Sequence, residues 1–189
     1  MTTDAELIGR SLAGDNDAFM EVICRHEDAV GAYLARRVGR EAAEDLLGEV
    51  WVTAFESRRT YDRAYPDARP WLYGVALNRL RRHWRSRPAE ELVPDVTILV
   101  SGWDPWPSVD VRVDTQAGLR AALQRLKQEE RDVLTLVAWE DLTVADAARA
   151  LQIPAGTARR LLHQARTALR TAPEVAALLI ELNGVKEGR

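Results

Sequence analysis

Apolar residues recur at helical spacing along nearly the whole chain, with one central interruption. Phe19, Val22, Ile23, His26, Val30, Tyr33, Leu34 and Val38 keep one side of a helix. Gly14-Asp15-Asn16-Asp17 ahead of them offers N-cap side chains, and Gly39 after them suits a helix C-terminus. A second helix is predicted over 40–55, with Ala43, Leu46, Leu47, Val50, Trp51, Ala54 and Phe55 inward. Its other face carries Asp45, Glu49, Val52 and Glu56. A loop rich in Arg, Tyr, Asp and Pro fills 57–69, and Pro70 suits the first turn of a third helix over 70–85. There Leu72, Val75, Ala76 and Leu80 are core candidates, while Gly74, Asn78, Arg81, Arg82 and Arg85 share the opposite side.

Over 88–114 the periodicity stops. Pro94, Gly102, Pro105 and Pro107 interrupt it, and the stretch is acidic, which reads as a flexible linker. Trp103 and Trp106 within it are expected to pack onto one of the flanking domains. Helical spacing returns over 116–126 and 129–139. Thr143 then caps a short helix to Ala150, with Asp146 at the reciprocal capping distance. Leu151-Gln152-Ile153 forms a tight turn, and a last helix over 154–170 turns Ala158, Leu162, Ala165 and Leu169 inward. No strand-like alternation persists. The reading is all-α: two small helical domains, 1–87 and 115–172, joined by the linker 88–114. A tail, 173–189, carries a short apolar stripe of Val175, Leu178, Leu179 and Leu182.

Composition sharpens this picture in one respect. The net charge of −3 argues against a nucleic-acid binder only as a total. Residues 1–56 hold five basic and twelve acidic side chains; 57–87 hold nine arginines against Asp62 and Asp67. The linker is acidic again, and 151–170 contains four arginines and no acid. Two basic patches on an acidic chain suggest two contacts with a polyanion. No apolar run is long enough to span a bilayer, and the N-terminus has no signal-like pattern, so a cytoplasmic location is expected. The single cysteine, Cys24, rules out an internal disulfide and is expected to be buried.

The two patches imply different chemistry. Residues 142–170 fit a helix-turn-helix, with Ala147 and Ala148 small at the crossing and Ile153 as an apolar peg. Its second helix exposes Thr157, Arg159, Arg160, His163, Gln164, Arg166 and Thr167. Arg and Gln reach base edges, and the remaining groups hold phosphates. Repressors and response regulators share that motif, so a plain DNA-binding regulator stays open as an alternative. Residues 57–87 instead interleave arginine with Tyr61, Tyr65, Trp71, Tyr73 and Trp84, a combination suited to single-stranded nucleic acid. Asn78 has both donor and acceptor for an exposed base, although Trp71 and Trp84 also suit packing roles. Asp45 and Glu49, one turn apart, fit either a basic partner or plain solvation. His26, His83 and His163 are scattered, and no glycine-rich phosphate loop or metal-ligand spacing occurs, so no catalysis, metal, cofactor or small-molecule substrate is expected.

Four stretches in this order resemble the extracytoplasmic-function sigma factors, the smallest class of bacterial sigma factor. They are Gly14-Asp15-Asn16-Asp17-Ala18-Phe19, Ala43-Glu44-Asp45-Leu46-Leu47-Gly48-Glu49-Val50, Pro70-Trp71-Leu72-Tyr73-Gly74-Val75-Ala76-Leu77-Asn78, and Leu142-Thr143-Val144-Ala145-Asp146-Ala147-Ala148 running on through Ile153-Pro154-Ala155-Gly156-Thr157. The resemblance implies that the first domain is a region 2, whose acidic helix docks on core RNA polymerase through Asp45, Glu49 and Val52. It implies capture of the melted −10 element by Tyr61, Arg63, Arg69, Trp71, Asn78, Arg81, Arg82 and Arg85. The second domain would be a region 4 reading the −35 element of promoter DNA with Thr157, Arg159, Arg160, His163, Gln164 and Arg166. It further implies a monomer when free of polymerase and leaves room for an anti-sigma factor. One departure stands out: the family's last helix often continues Gly-Thr-Val-Arg-Ser-Arg-Leu, where this chain has Gly156-Thr157-Ala158-Arg159-Arg160-Leu161-Leu162.

Overall fold

A computed structural model describes residues 2–85 and 121–172. The linker, its two tryptophans and the tail stripe lie outside the described residues. Within them every regular element is helical. The first half comprises α1 (Asp4–Leu12), α2 (Asn16–Val38), α3 (Arg40–Ser57), a 3-10 turn (Arg58–Thr60) and α4 (Arg69–Arg85). The second comprises a helical segment at 121–125, then α5 (Gln128–Ala138), α6 (Val144–Leu151) and α7 (Ala155–Thr171). No described helix is long and apolar enough to cross a membrane.

Local chemistry sets the boundaries. Asp15 caps α2 by accepting from the Ala18 N–H, and Arg10 pairs with the same carboxylate at 2.6 Å. Gly39 joins α2 to α3 at φ 83°, a left-handed conformation that a side chain would strain. Thr143 caps α6 by accepting from the Asp146 N–H, and its hydroxyl donates to the Asp146 carboxylate at 2.6 Å. α6 closes on Gln152 at φ 56°, with the Ile153 N–H returning to the Ala148 carbonyl. The helix-turn-helix thus turns through a left-handed non-glycine residue.

The core of α1–α4 is built from Leu7, Ile8, Phe19, Val22, Tyr33, Leu34, Val50, Leu72, Ala76 and Leu80, all buried. Full burial of each leucine contributes roughly 2 kcal/mol. A smaller core of Leu123, Leu126, Val133, Leu134, Leu161, Leu162 and Ala165 holds α5 and α7 together. Leu136, Leu142, Ala147 and Ala150 from the second half join the first core, so the two halves are packed directly on one another. Cys24 is exposed, contrary to the sequence expectation. It lies beside Ile23 on α2, one step past the apolar stripe that Val22 and His26 carry inward.

Candidate nucleic-acid interface

The outward face of α7 is the simplest surface. Ala158, Leu161, Leu162 and Ala165 are buried, which turns Arg159, Arg160, His163, Gln164 and Arg166 to solvent; Thr157 is half-buried at the helix start. Arg160 donates to the Gln164 Oε1 at 3.2 Å, which lines the two side chains along one ridge. Leu161, where the resembled family often has arginine, is instead a core residue against the 121–138 segment. Arg159, Arg160, His163, Gln164 and Arg166 therefore carry the polar chemistry of this face.

The second surface combines α4 with the loop at 61–69. That loop is pinned from beneath by Asp4, which is 6% exposed. The Asp4 N–H donates to the Pro66 carbonyl at 3.1 Å, and its Oδ2 accepts from the Ala68 N–H at 2.9 Å and meets His26 Nε2 at 2.7 Å. Arg25 donates to the other oxygen at 3.1 Å. Burial pushes the Asp4 carboxyl up, but the hydrogen bonds from His26 and Ala68 N–H, the His26 charge and Arg25 outweigh it. The group is held below the usual aspartate range. Asp67 lies close to this pair, its ligand oxygen within 4.8 Å of the other two groups. Both Asp4 oxygens are already engaged in tying α1 and α2 to the loop, and Asp67 is engaged with Arg69 at 2.9 Å. The trio is a tether.

Sequence reasoning missed α1 and this tether. The signal was present: Thr3-Asp4-Ala5-Glu6 is a capping box, with the Thr3 N–H donating to Glu6 at 2.7 Å and the Glu6 N–H to Thr3 at 3.2 Å.

Placement of the predicted −10 residues is mixed. Asn78, Arg82 and Arg85 are exposed along α4, and the Asn78 amide has no hydrogen-bond partner among the described residues. Trp71 is half-buried and lines a cleft of about 370 Å³ with Asn78 and Arg82. Arg63 is exposed, and Arg69 is held half-buried by Asp67. Tyr61 lies inward: its ring packs 5.4 Å from Trp71, and its hydroxyl donates to the Tyr65 carbonyl at 2.5 Å. Burial, with the charges of Asp4 and Asp67, pushes the Tyr61 hydroxyl up to about 12, so it remains a donor. Arg81 is also turned away, pairing with Asp132 of α5 at 3.0 Å. Gly74 is not on an open face: a Cβ there would lie 2.7 Å from the Ala150 carbonyl oxygen of α6.

The acidic surface lies on α3. Asp45, Glu49 and Val52 form one exposed stripe, and Val52 is 58% exposed, unusual for a valine on a packed helix. Glu49 is partly drawn back by Arg79 at 3.5 Å, while the Arg79 Nε donates to Thr53 at 2.8 Å. Arg79 thus braces α4 on α3, a role its place in an arginine-rich run does not disclose.

Two family models match this chain in order: sigma-70 region 2 over residues 22–97 and sigma-70 region 4 over residues 116–169. The ECF RNA polymerase sigma factor BldN of Streptomyces coelicolor is 30% identical over 175 residues, covering 90% of this chain and 66% of that protein. SigM of Mycobacterium tuberculosis, another ECF RNA polymerase sigma factor, is 30% identical, covering 88% of this chain and 83% of its own length. The RNA polymerase sigma-H factor of Pseudomonas aeruginosa is 26% identical, with 89% and 93% covered. Among solved structures, CnrH in complex with the cytosolic domain of CnrY superposes with a TM-score of 0.62 at 22% identity, covering 94% of this chain and 97% of that one. The sigma factor RpoE in complex with the anti-sigma factor NepR from Bartonella quintana gives 0.58 at 19%, covering 83% and 97%. At those identities the structural likeness speaks to the fold.

Proposed function

Because the chain belongs to the extracytoplasmic-function RNA polymerase sigma factors, which bind the core enzyme and direct it to promoters, we propose a division of that work among three surfaces. The α3 stripe of Asp45, Glu49 and Val52 docks on core polymerase. The loop 61–69, with Trp71, Asn78, Arg82 and Arg85, takes the melted −10 strand; Tyr61 and Arg81 position that surface from within. Thr157, Arg159, Arg160, His163, Gln164 and Arg166 on α7 read the −35 element. Residues 1–87 and 115–172 form the two working domains, with 88–114 between them. The chain contributes recognition, and bond formation belongs to the polymerase. CnrH and RpoE are recorded with protein partners of their own, one an anti-sigma factor, and a partner of that kind is proposed here too.

The observation that carries this reading is the exposed amide of Asn78, without a hydrogen-bond partner among the described residues, beside Trp71 and Arg82 and on a different half of the chain from the arginine ridge of α7. The test is transcription by purified core polymerase with this chain, from fragments of its own genome. Defined start sites sharing two upstream elements support the reading; core binding without defined starts defeats it.

Two substitutions separate the surfaces. Asn78→Ala is expected to slow strand opening about tenfold while closed-complex binding stays nearly unchanged, since one base contact is worth about 1–3 kcal/mol. Permanganate footprinting against filter binding measures both, and equal losses would remove Asn78 from strand capture. Arg160→Ala is expected to lose about tenfold discrimination at one −35 position. Loss spread uniformly over all sequences, with a shallower salt dependence, would make it a phosphate contact.

A further inference from the structure

The cleft of about 370 Å³ that Trp71, Asn78 and Arg82 line on α4 has a second wall, formed by Arg149 and by Gln152 just past the end of α6. Gln152 stands at φ 56°, in the left-handed region that glycine occupies without strain and a longer side chain does not. Neither its amide nor that of Asn78 has a hydrogen-bond partner among the described residues. A strained residue in the wall of a cleft points to function, because the turn alone would be more stable with glycine.

The charges point the same way. Arg79, Arg82 and Arg149 line the cleft, and no carboxylate is among its described walls. Arg79 is held by Thr53 and Glu49, and Arg149 by Asp146 and the Tyr65 ring. Arg82 is exposed and meets no carboxylate among the described residues, so an anion placed there gains an uncommitted guanidinium in a positive field. Ser57 and Thr60, also in the wall, donate their hydroxyl hydrogens to the Thr53 and Ser57 carbonyls at 2.6 and 2.8 Å. Both oxygens are left able to accept from a ligand.

We infer that this cleft is a binding site for one free nucleotide, its phosphate on Arg82 and its base between the Asn78 and Gln152 amides. An amide carries a donor and an acceptor side by side, the pattern that a base edge returns. The half-buried Trp71 supplies an aromatic wall, and Ser57 and Thr60 accept from an exocyclic amine or a ribose hydroxyl. The volume suits one small organic ligand, since ligand pockets start at about 300 Å³. A simple inorganic anion would leave both amides unmatched. Asn78, Trp71 and Arg82 are also the residues proposed for the −10 strand, so a bound nucleotide withholds them from it. That consequence rests on the promoter reading, whereas the binding itself does not.

The test is isothermal titration of the full chain, without polymerase or DNA, with each of the common ribonucleoside monophosphates. Inorganic phosphate and the bare nucleosides are the controls. At least one nucleotide should bind about tenfold more tightly than phosphate or its own nucleoside. Arg82→Ala and Gln152→Gly should each weaken that binding about tenfold, the loss of one ligand hydrogen bond. Gln152→Gly is the sharper variant: glycine takes φ 56° without strain, so the unfolding temperature should hold or rise while affinity falls. Arg82→Ala, a change to an exposed side chain, decides the matter if Gln152→Gly loses helical signal. Phosphate binding as tightly as every nucleotide, or full affinity in both variants, overturns the inference. So does silence at millimolar nucleotide, even where a single-stranded DNA dodecamer binds, since the cleft would then serve the strand alone. Nucleotide binding by a chain that directs no defined start sites would uphold the site and strike the promoter reading instead.

Discussion

Asp4→Ala is expected to lower the stability of the first domain by about 3 kcal/mol and to loosen the loop 61–69. The carboxylate is buried and serves three donors: His26, the Ala68 N–H and Arg25. Removing a buried charged acceptor strands its partners, and that penalty exceeds the net worth of the bonds themselves. Asp4→Asn, which keeps an acceptor for the Ala68 N–H, should lose less. Urea unfolding followed by circular dichroism measures both, and a loss below about 0.5 kcal/mol for the alanine variant would show that the tether contributes little.

The pH dependence follows in sign. Asp4 lies lower in the folded chain than in the unfolded one, so its contribution is complete above the unfolded value of about 3.9. It is lost as pH falls through the folded value. The gap between wild type and Asp4→Ala should therefore be constant from neutrality to about pH 5 and close below about pH 4. A gap that closed well above pH 5 would show that another group carries the dependence.

The second large effect concerns polymerase. Asp45→Arg is expected to weaken core binding at least tenfold with no loss of helical structure. Asp45 is exposed, and in the described residues it braces nothing, so reversal acts on the partner surface alone. A like-charge contact at an interface costs several kcal/mol. Glu49 is the poorer test, because it also meets Arg79 and a change there disturbs the α3–α4 brace. Val52→Glu should weaken binding in parallel, given how much apolar surface that valine exposes. Unchanged affinity of Asp45→Arg, measured by anisotropy of a Cys24-labelled chain titrated with core enzyme, would return the acidic stripe to a solvated role.

Apolar periodicity and capping chemistry were enough to read most of the helices from the chain, since both are local. Asp15, Gly39, Thr143 and the Leu162–Ala165 face all act within a few residues of themselves. The exposed arginines of α7 were legible for the same reason: a helix with one apolar stripe must show its other side. Placement on α4 was harder, because that helix has no single open face. Arg81 and Gly74 share a side with Asn78 in projection, yet they meet α5 and α6, whose position depends on contacts across more than fifty residues.

The amino-acid order by itself determined an all-helical chain of two domain types, with its basic surfaces and their chemistry, because helix periodicity and charge distribution are properties of neighbours in sequence. Only the tertiary structure decided which arginines are spent inside. Arg37, Arg79 and Arg81 read like Arg82 and Arg85 in the chain, but the first three find carboxylates at Asp132 and Glu49, whereas Arg82 and Arg85 are exposed and meet no carboxylate among the described residues. It also decided that Asp4 holds the loop 61–69 and that Arg149 lies over Tyr65. Such pairings join charges brought together by packing, and their energies depend on burial that no local pattern encodes.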